Sequence, residues 1–293
     1  MDSETLKNFL VVAREGNITR AAQFIHITQP TLSRQMQNLE QELGRPLLIR
    51  GKRHLSLTPE GQLFRKRAEE ILELFQKTRS EIHTSSEIAG DIYMGAGETD
   101  AIRQISQVAS QFAQLHPQLR FHIRSGDREA VREMLEKGLV DFGLIYGPSD
   151  PGKYKVVPLT PVDRWGFLLP RTHPLALYPE LTSEQVHDQP LILSRQAMLT
   201  GIPQEWLGRD LDHLHIAGTY ALLTNGAKMV AGGLGLAMGL DGLINTSGSP
   251  LCFRPCSPPL LDTMSLIWKR GQLFTPAVQG FLDLLLQNFG KTE

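Results

Sequence analysis

The sequence predicts an α/β protein in three successive parts: a three-helix head closed by a two-stranded hairpin, one long helix, and a larger body of alternating strands and helices. Three observations predict it. The first 58 residues hold three short apolar stripes at helical spacing, then two short apolar runs around a basic turn. From Pro59 to about Ser85 one stripe runs in alternating steps of four and three. Beyond "SSEIAGD" (85–91) strand-like runs alternate with helical stripes, the pattern of a parallel sheet with right-handed crossovers.

In the head, Leu6, Phe9, Leu10 and Ala13 define a first helix that Gly16 stops. Ile18, Ala21, Ala22 and Ile25 define a second, interrupted at His26-Ile27. Thr28 is a good N-cap, and Pro30 is tolerable only in a first turn, so a third helix opens there. Its apolar stripe is Leu32, Met36, Leu39 and Leu43. The opposite face carries Gln29, Thr31, Ser33, Arg34 and Gln37, polar and mostly short, with one charge, where a merely solvated face more usually carries Glu and Lys. Gly44-Arg45-Pro46 ends the helix. "PLLIRGKRHLSLTPEG" predicts a hairpin with Arg50, Lys52 and Arg53 at its basic tip, which makes residues 1–58 a winged helix-turn-helix.

Thr58-Pro59 supplies N-cap and first-turn proline for the long helix, whose seam is Phe64, Ala68, Ile71, Phe75, Thr78 and Ile82. At about 1.5 Å per residue it spans roughly 40 Å. A seam of that length needs a partner, and we expect self-association through 59–90 rather than packing on its own domain alone. In the body, "DIYMGAG", "LRFHIRSG" and "LVDFGLIYG" are strands separated by helices through Ile102–Phe112 and Val131–Leu135. A second set runs through "RWGFLLP", "PLILS", "HLHIAGT", a helix from Tyr220 to Val230, and "GLGLAMGL". The strand "MSLIWKRG" and a helix from Pro276 to Phe289 close the chain.

Charge separates the parts. The chain of 293 residues holds 30 Lys and Arg against 31 Asp and Glu. The first 58 residues hold eight basic against five acidic side chains, and the rest 22 against 26. A basic head on an acidic body points to nucleic acid. Two cysteines, an N-terminus without the basic start and apolar run that export needs, and no long apolar span lead us to expect a cytoplasmic chain without membrane attachment. No Ser/His/Asp or paired-carboxylate set can be assembled and the nine histidines show no ligand spacing, so neither an enzyme nor a metal site is expected. "GGLGLAMG" (232–239) follows a helix and enters a strand, the reverse of a dinucleotide loop, and is expected to be a helix C-cap. "CFRPC" (Cys252, Cys256) fits no metal motif, and two semi-buried thiols are expected there rather than a thiol switch.

The stretch "FLVVAREGNITRAAQFIHITQPTLSRQMQNLEQELGRPLLIR", with the later "LSLTPEG", resembles the DNA-binding signature of the LysR-type transcriptional regulators. "DFGLIYG" and "HPLA" (173–176) add weaker support, and the resemblance spans essentially the whole chain. It implies a winged-helix DNA-binding domain (1–58), a dimerising linker helix and hinge (59–90), and an effector domain of the periplasmic-binding-protein type (91–293). That domain would have one lobe at 91–161 plus 266–293 and a second at 162–265, with a small-molecule co-inducer of unknown identity between them and no other cofactor. The implied partners are double-stranded DNA bearing an inverted repeat, further copies of the chain in a homodimer or homotetramer, and RNA polymerase.

On this basis Gln29, Pro30, Thr31, Ser33, Arg34 and Gln37 form the DNA-facing turn. Gln29 suits adenine or a bridge between neighbouring groups, Arg34 guanine or a phosphate, and Thr31 and Ser33 phosphates, or a thymine methyl in the case of Thr31. Arg50, Lys52 and Arg53 would add charge at the backbone or minor groove. In the cleft, where ligands sit beyond strand C-termini, the candidates by resemblance are Thr99, Tyr146, Thr200 and Tyr220, with Arg195 able to balance a carboxylate. Glu98 and Asp100 disfavour an inorganic anion, whereas Tyr146, Trp165 and Tyr220 favour a ligand with a flat or apolar part, its carboxylate meeting Thr99 or Arg195. The alternative is a ligand-binding module or enzyme whose head docks on protein, which a mobility shift on DNA next to the gene would discriminate.

Overall fold

The computed structural model describes residues 1–51, 54–82, 88–160 and 162–290. It divides into two compact units, Met1–Thr84 and Ser85–Glu293. The basic tip at Lys52 and Arg53, and the start of the linker at 85–87, lie outside the described residues.

In the first unit, α1 (Ser3–Glu15) is capped by Asp2, whose carboxylate accepts from Thr5 N at 2.8 Å, and ends at Gly16 with φ 58°. Helix α2 (Ile18–Phe24) starts under Asn17, which accepts from Arg20 N, and His26 turns the chain with φ 57°. Helix α3 (Gln29–Leu43) opens with Pro30 in its first turn and closes at Gly44. The expected stops at Gly16 and Gly44 and the expected cap at Thr28 are found, and Asp2 and Asn17 add caps that the apolar stripes did not mark. Strands β1 (Leu48–Arg50) and β2 (Leu55–Leu57) pair antiparallel as the hairpin. Phe9, Val12, Ala21, Ala22, Leu32, Met36 and Leu39 form the core of this head. Leu43, expected in the same stripe, is exposed at the helix end.

Helix α4 (Pro59–Ile82) follows, with Thr58 Oγ1 accepting from Gly61 N at 2.9 Å and donating to Pro46 O at 2.8 Å. Gly61 lies so close to the hairpin that an added Cβ would stand 2.1 Å from Leu47 O. The expected seam divides here. Phe64 meets Phe9 edge-to-face at 4.8 Å, and Ala68 is buried with Leu6 and Leu72, so these positions pack on their own head. Ile71, Phe75 and Ile82 are 45, 53 and 77 % exposed.

The second unit holds two sheets. The first has the order β4-β3-β5-β13-β6, from β3 (Gly90–Ala96), β4 (Leu119–Ser125), β5 (Phe142–Tyr146), β6 (Tyr154–Pro158) and β13 (Met264–Lys269). The second has the order β11-β7-β10-β8-β9, from β7 (Asp163–Pro170), β8 (Leu191–Ser194), β9 (Ile216–Tyr220), β10 (Leu236–Leu240) and β11 (Leu251–Pro255), with β12 (Leu261–Asp262) on β7. Helices α5 (Ala101–Leu115) and α11 (Pro276–Phe289) contribute to a common core against the first sheet, and α6 (Arg128–Glu136) to a separate one. On the second sheet, α10 (Leu223–Ala231) serves one cluster and α7 (Ser183–Val186), α8 (Arg195–Thr200) and α9 (Ile202–Leu207) another.

Three details differ from expectation. The sheets are mixed: β13 runs antiparallel to β5 and β6, and β7 antiparallel to β10 and β11. The chain returns to the first sheet at Met264 rather than at 266, because Met264 and Ser265 already pair with Tyr146 and Ile145. Tyr220 ends strand β9 instead of opening a helix, which begins at Leu223. The "GGLGLAMG" stretch does pass from the α10 terminus at Gly232 into β10. No described helix is long and apolar enough to cross a membrane.

Candidate DNA-reading helix and ligand cleft

The α3 N-terminus is held by its apolar stripe and by polar ties to α1. Gln35 accepts from Asn8 Nδ2 at 2.9 Å and donates to Thr5 Oγ1 at 3.2 Å, so this glutamine faces inward. With Leu32, Met36 and Leu39 also inside, Gln29, Pro30, Thr31, Arg34 and Gln37 are left exposed and Ser33 half-buried. The Thr28 and Thr31 hydroxyls share a hydrogen bond of 2.7 Å, so Thr31 is partly engaged in the cap. Arg50 ends β1 opposite Leu55, with its side chain outside the described set, and Gly51 N donates to His54 O at the turn.

Between the two sheets of the second unit lie two adjoining chambers that share part of their lining. The inner chamber is lined by Glu98, Tyr146, Trp165, Thr200, Tyr220 and Asp262, among others. Its volume of about 80 Å³ is several times the roughly 10–15 Å³ that one buried water requires. The outer chamber shares Glu98, Gln196 and Thr200 with it and extends past Ser125, Asp127, Arg128, Arg195 and Leu199. Tyr146, Thr200 and Tyr220 therefore converge on the inner chamber from both lobes, and Arg195 stands on the outer one.

Thr99 does not join them. It is 6 % exposed, its hydroxyl donates to Asp163 Oδ2 at 3.1 Å and accepts from Ala101 N at 3.0 Å, and it lines neither chamber. Tyr146 donates its hydroxyl to the same Asp163 oxygen. Asp163 opens β7 just past the first crossing between sheets, so this three-residue network ties the corner after β3 to the start of the second lobe. Burial, then the Asp163 charge and hydrogen bond, raise the Tyr146 phenol above its ordinary value and keep it a donor.

Two groups that spacing alone did not mark out as site residues stand in the inner chamber. Glu98 Oε2 accepts from Leu223 N at 2.6 Å, reaching from the first lobe to the first residue of α10. Asp262 accepts from Thr263 N at 2.9 Å. Burial raises the Asp262 carboxyl above its ordinary range; the Thr263 amide and the Trp165 indole oppose the shift, and neighbouring Asp163 adds to it. An acidic residue at a helix start is too common for sequence to single out Glu98, and the position of Asp262 depends on β12 returning beside β7. Tyr220 is fixed by donating to Met238 O at 2.6 Å, and Thr200 by donating to Ala197 O at 2.9 Å. Cys252 and Cys256 are fully buried rather than semi-buried, and burial pushes the Cys256 thiol up to about 12, which leaves it unreactive.

Comparison with known proteins yields two matches along the chain. Residues 3–62 match the family model for bacterial regulatory helix-turn-helix proteins of the lysR family, and residues 85–290 match the LysR substrate binding domain. The HTH-type transcriptional regulator CysL of Bacillus subtilis (strain 168) is 25 % identical over 297 residues, covering 98 % of this chain and 97 % of that one. The Hca operon transcriptional activator HcaR of Escherichia coli (strain K12) is 26 % identical over 290 residues, covering 97 % of each. Among solved structures, CbnR, a LysR family transcriptional regulator, superposes with a TM-score of 0.79 at 19 % identity over 99 % of both chains. Full-length CbnR complexed with its target DNA gives 0.78 at 19 % identity, over 98 % of this chain and 99 % of that one.

Proposed function

The chain belongs to the LysR-type family of transcriptional regulators, and from that premise we propose that its α3 N-terminal turn reads an inverted-repeat operator while a small molecule bound between the lobes modulates the response. The observation that carries the DNA assignment is the division of α3: Leu32, Met36, Leu39 and Gln35 face inward, which leaves Gln29, Arg34 and Gln37 free for a major groove, with Thr31 exposed beside them and partly engaged in the cap. Ser33 and Pro30 shape the same turn, and Arg50, Lys52 and Arg53 supply charge from the wing. In the effector cleft we retain Tyr146, Thr200 and Tyr220 as inner contacts and Arg195 as an outer one, and Thr99 becomes a residue that positions the crossover through Asp163.

The protein acts in the cytoplasm as a homodimer or homotetramer, without catalysis and without a cofactor other than its effector, and communicates with RNA polymerase at the promoter. A ligand that prefers one lobe arrangement shifts the oligomer's geometry and so the spacing of its recognition helices. The test is fluorescence anisotropy on DNA flanking the gene, against an unrelated duplex. Arg34→Ala should weaken specific binding by about 1–3 kcal/mol with little loss on unrelated DNA. Arg53→Ala should weaken both similarly and lower the salt slope by about one contact. If both variants bind like the wild type, α3 and the wing are not the DNA-reading surface.

A further inference from the structure

We propose that Glu98 is a built-in anion holding the α10 N-terminus that an effector's carboxylate would otherwise take, and that the inner chamber accordingly engages its effector through a protonated amine. This rests on the cleft assignment above and names the ligand class. Helix α10 begins after Leu222 with no side-chain cap of its own, and Glu98 supplies the missing acceptor from the opposite lobe at 2.6 Å. A helix N-terminus is a natural place for a negative charge, and here the chain furnishes that charge itself. The neighbouring corner is closed to an anion as well, because the Thr99 and Tyr146 hydroxyls both donate to Asp163.

A carboxylate entering the inner chamber would find those donors engaged and would lie beside Glu98 and Asp262. No Lys or Arg is among the described residues lining that chamber. Beside the neutral polar side chains of Ser194, Gln196 and Thr200, the chamber offers two carboxylates with the rings of Tyr146, Trp165 and Tyr220, a combination that complements an ammonium group on an apolar body. Asp262 supports this direction: half-buried beside the Asp163 charge, it holds its proton more tightly than an ordinary carboxyl, and a ligand ammonium would supply a compensating charge. Arg128 and Arg195 line the adjoining chamber, so a zwitterion would place its amine in the first chamber and its carboxylate in the second.

The experiment is thermal unfolding of the full chain at constant ionic strength with ethylamine, butylamine and phenethylamine against propanoate, pentanoate and 3-phenylpropanoate. At least one amine should raise the midpoint saturably while its carboxylate counterpart does not. Glu98→Gln, which keeps an acceptor for α10, and Asp262→Asn should each weaken that amine about tenfold or more. Glu98→Ala should unfold at lower temperature and be restored by acetate, which should leave the wild type unchanged. Stabilisation of the wild type by a carboxylate alone, no response to any amine, or no effect of acetate on a folded Glu98→Ala would each overturn the proposal. If a carboxylate binds and Tyr146→Phe or Thr200→Val weakens it, only the amine assignment falls. If a ligand binds and neither substitution matters, the cleft assignment falls with it.

Discussion

Asp163 and Asp262 stand close together at the start and end of the second lobe, in opposite circumstances. Asp163 receives two hydroxyl donors, from Thr99 and Tyr146, whereas Asp262 has one backbone amide and lies near the Asp163 charge. Burial, only partly offset by that amide and the Trp165 indole and reinforced by the Asp163 charge, makes the folded chain bind the Asp262 proton more tightly than the unfolded chain does. A carboxyl whose folded value is raised contributes stability below its ordinary value and loses that contribution as pH rises through the raised one. The contribution of Asp262 to the second unit's stability should thus fall as pH rises above the ordinary carboxyl value of about 4. Asp262→Asn should flatten that dependence and raise the midpoint at neutral pH, as calorimetric scans across the range will show. Tyr146→Phe should lower the same midpoint by about 1–2 kcal/mol equivalent, because Asp163 keeps Thr99 but loses its second donor. None of this pairing was legible from spacing. The sequence placed Thr99 at the right corner, but the direction of its hydroxyl is decided by a carboxylate 64 residues away.

Single elements were legible where their boundaries are local. Asp2, Asn17 and Thr28 begin helices and Gly16 and Gly44 end them, each acting on its own few residues. Strands β6, β11 and β12 were missed because each is defined by a partner far along the chain rather than by its own apolar pattern. Helix α4 shows the same limit within one element: the step pattern drew one stripe from Phe64 to Ile82, yet could not say that its first half is claimed by α1 while Ile71, Phe75 and Ile82 stay exposed within the chain. The two halves should respond differently to substitution. Phe64→Ala removes the edge-to-face contact with Phe9 and should destabilise the head toward the lower end of about 3–5 kcal/mol, since Phe64 is half-buried. Ile71→Glu with Phe75→Glu should leave the head's unfolding unchanged and reduce the particle mass by light scattering, because both residues are exposed within the chain. Retention of the wild-type mass in that double variant would remove α4 from the oligomer interface.

At the scale of the whole molecule, two compact units with separate cores share one chain. The proposed function requires that they be coupled in free energy, since the proposed DNA-reading helix lies in the first and the candidate ligand cavity in the second. Coupling of this kind is reciprocal: an effector that changes operator affinity by some factor must have its own affinity changed by operator DNA by the same factor. Regulators of such size typically show about 5–150-fold, or roughly 1–3 kcal/mol. The measurement is a closed cycle on the full chain: operator affinity with and without a saturating cleft ligand, and ligand affinity with and without operator. The two ratios should agree. The Glu98 contact between the lobes gives the cycle a further constraint, because it holds them together without a ligand. Glu98→Gln weakens that tie while leaving the head untouched, so it should move operator affinity of the ligand-free protein and change the size of the coupling. A variant that alters ligand affinity yet leaves both operator affinity and the coupling at wild-type values would show that lobe closure is not the element linking the two sites.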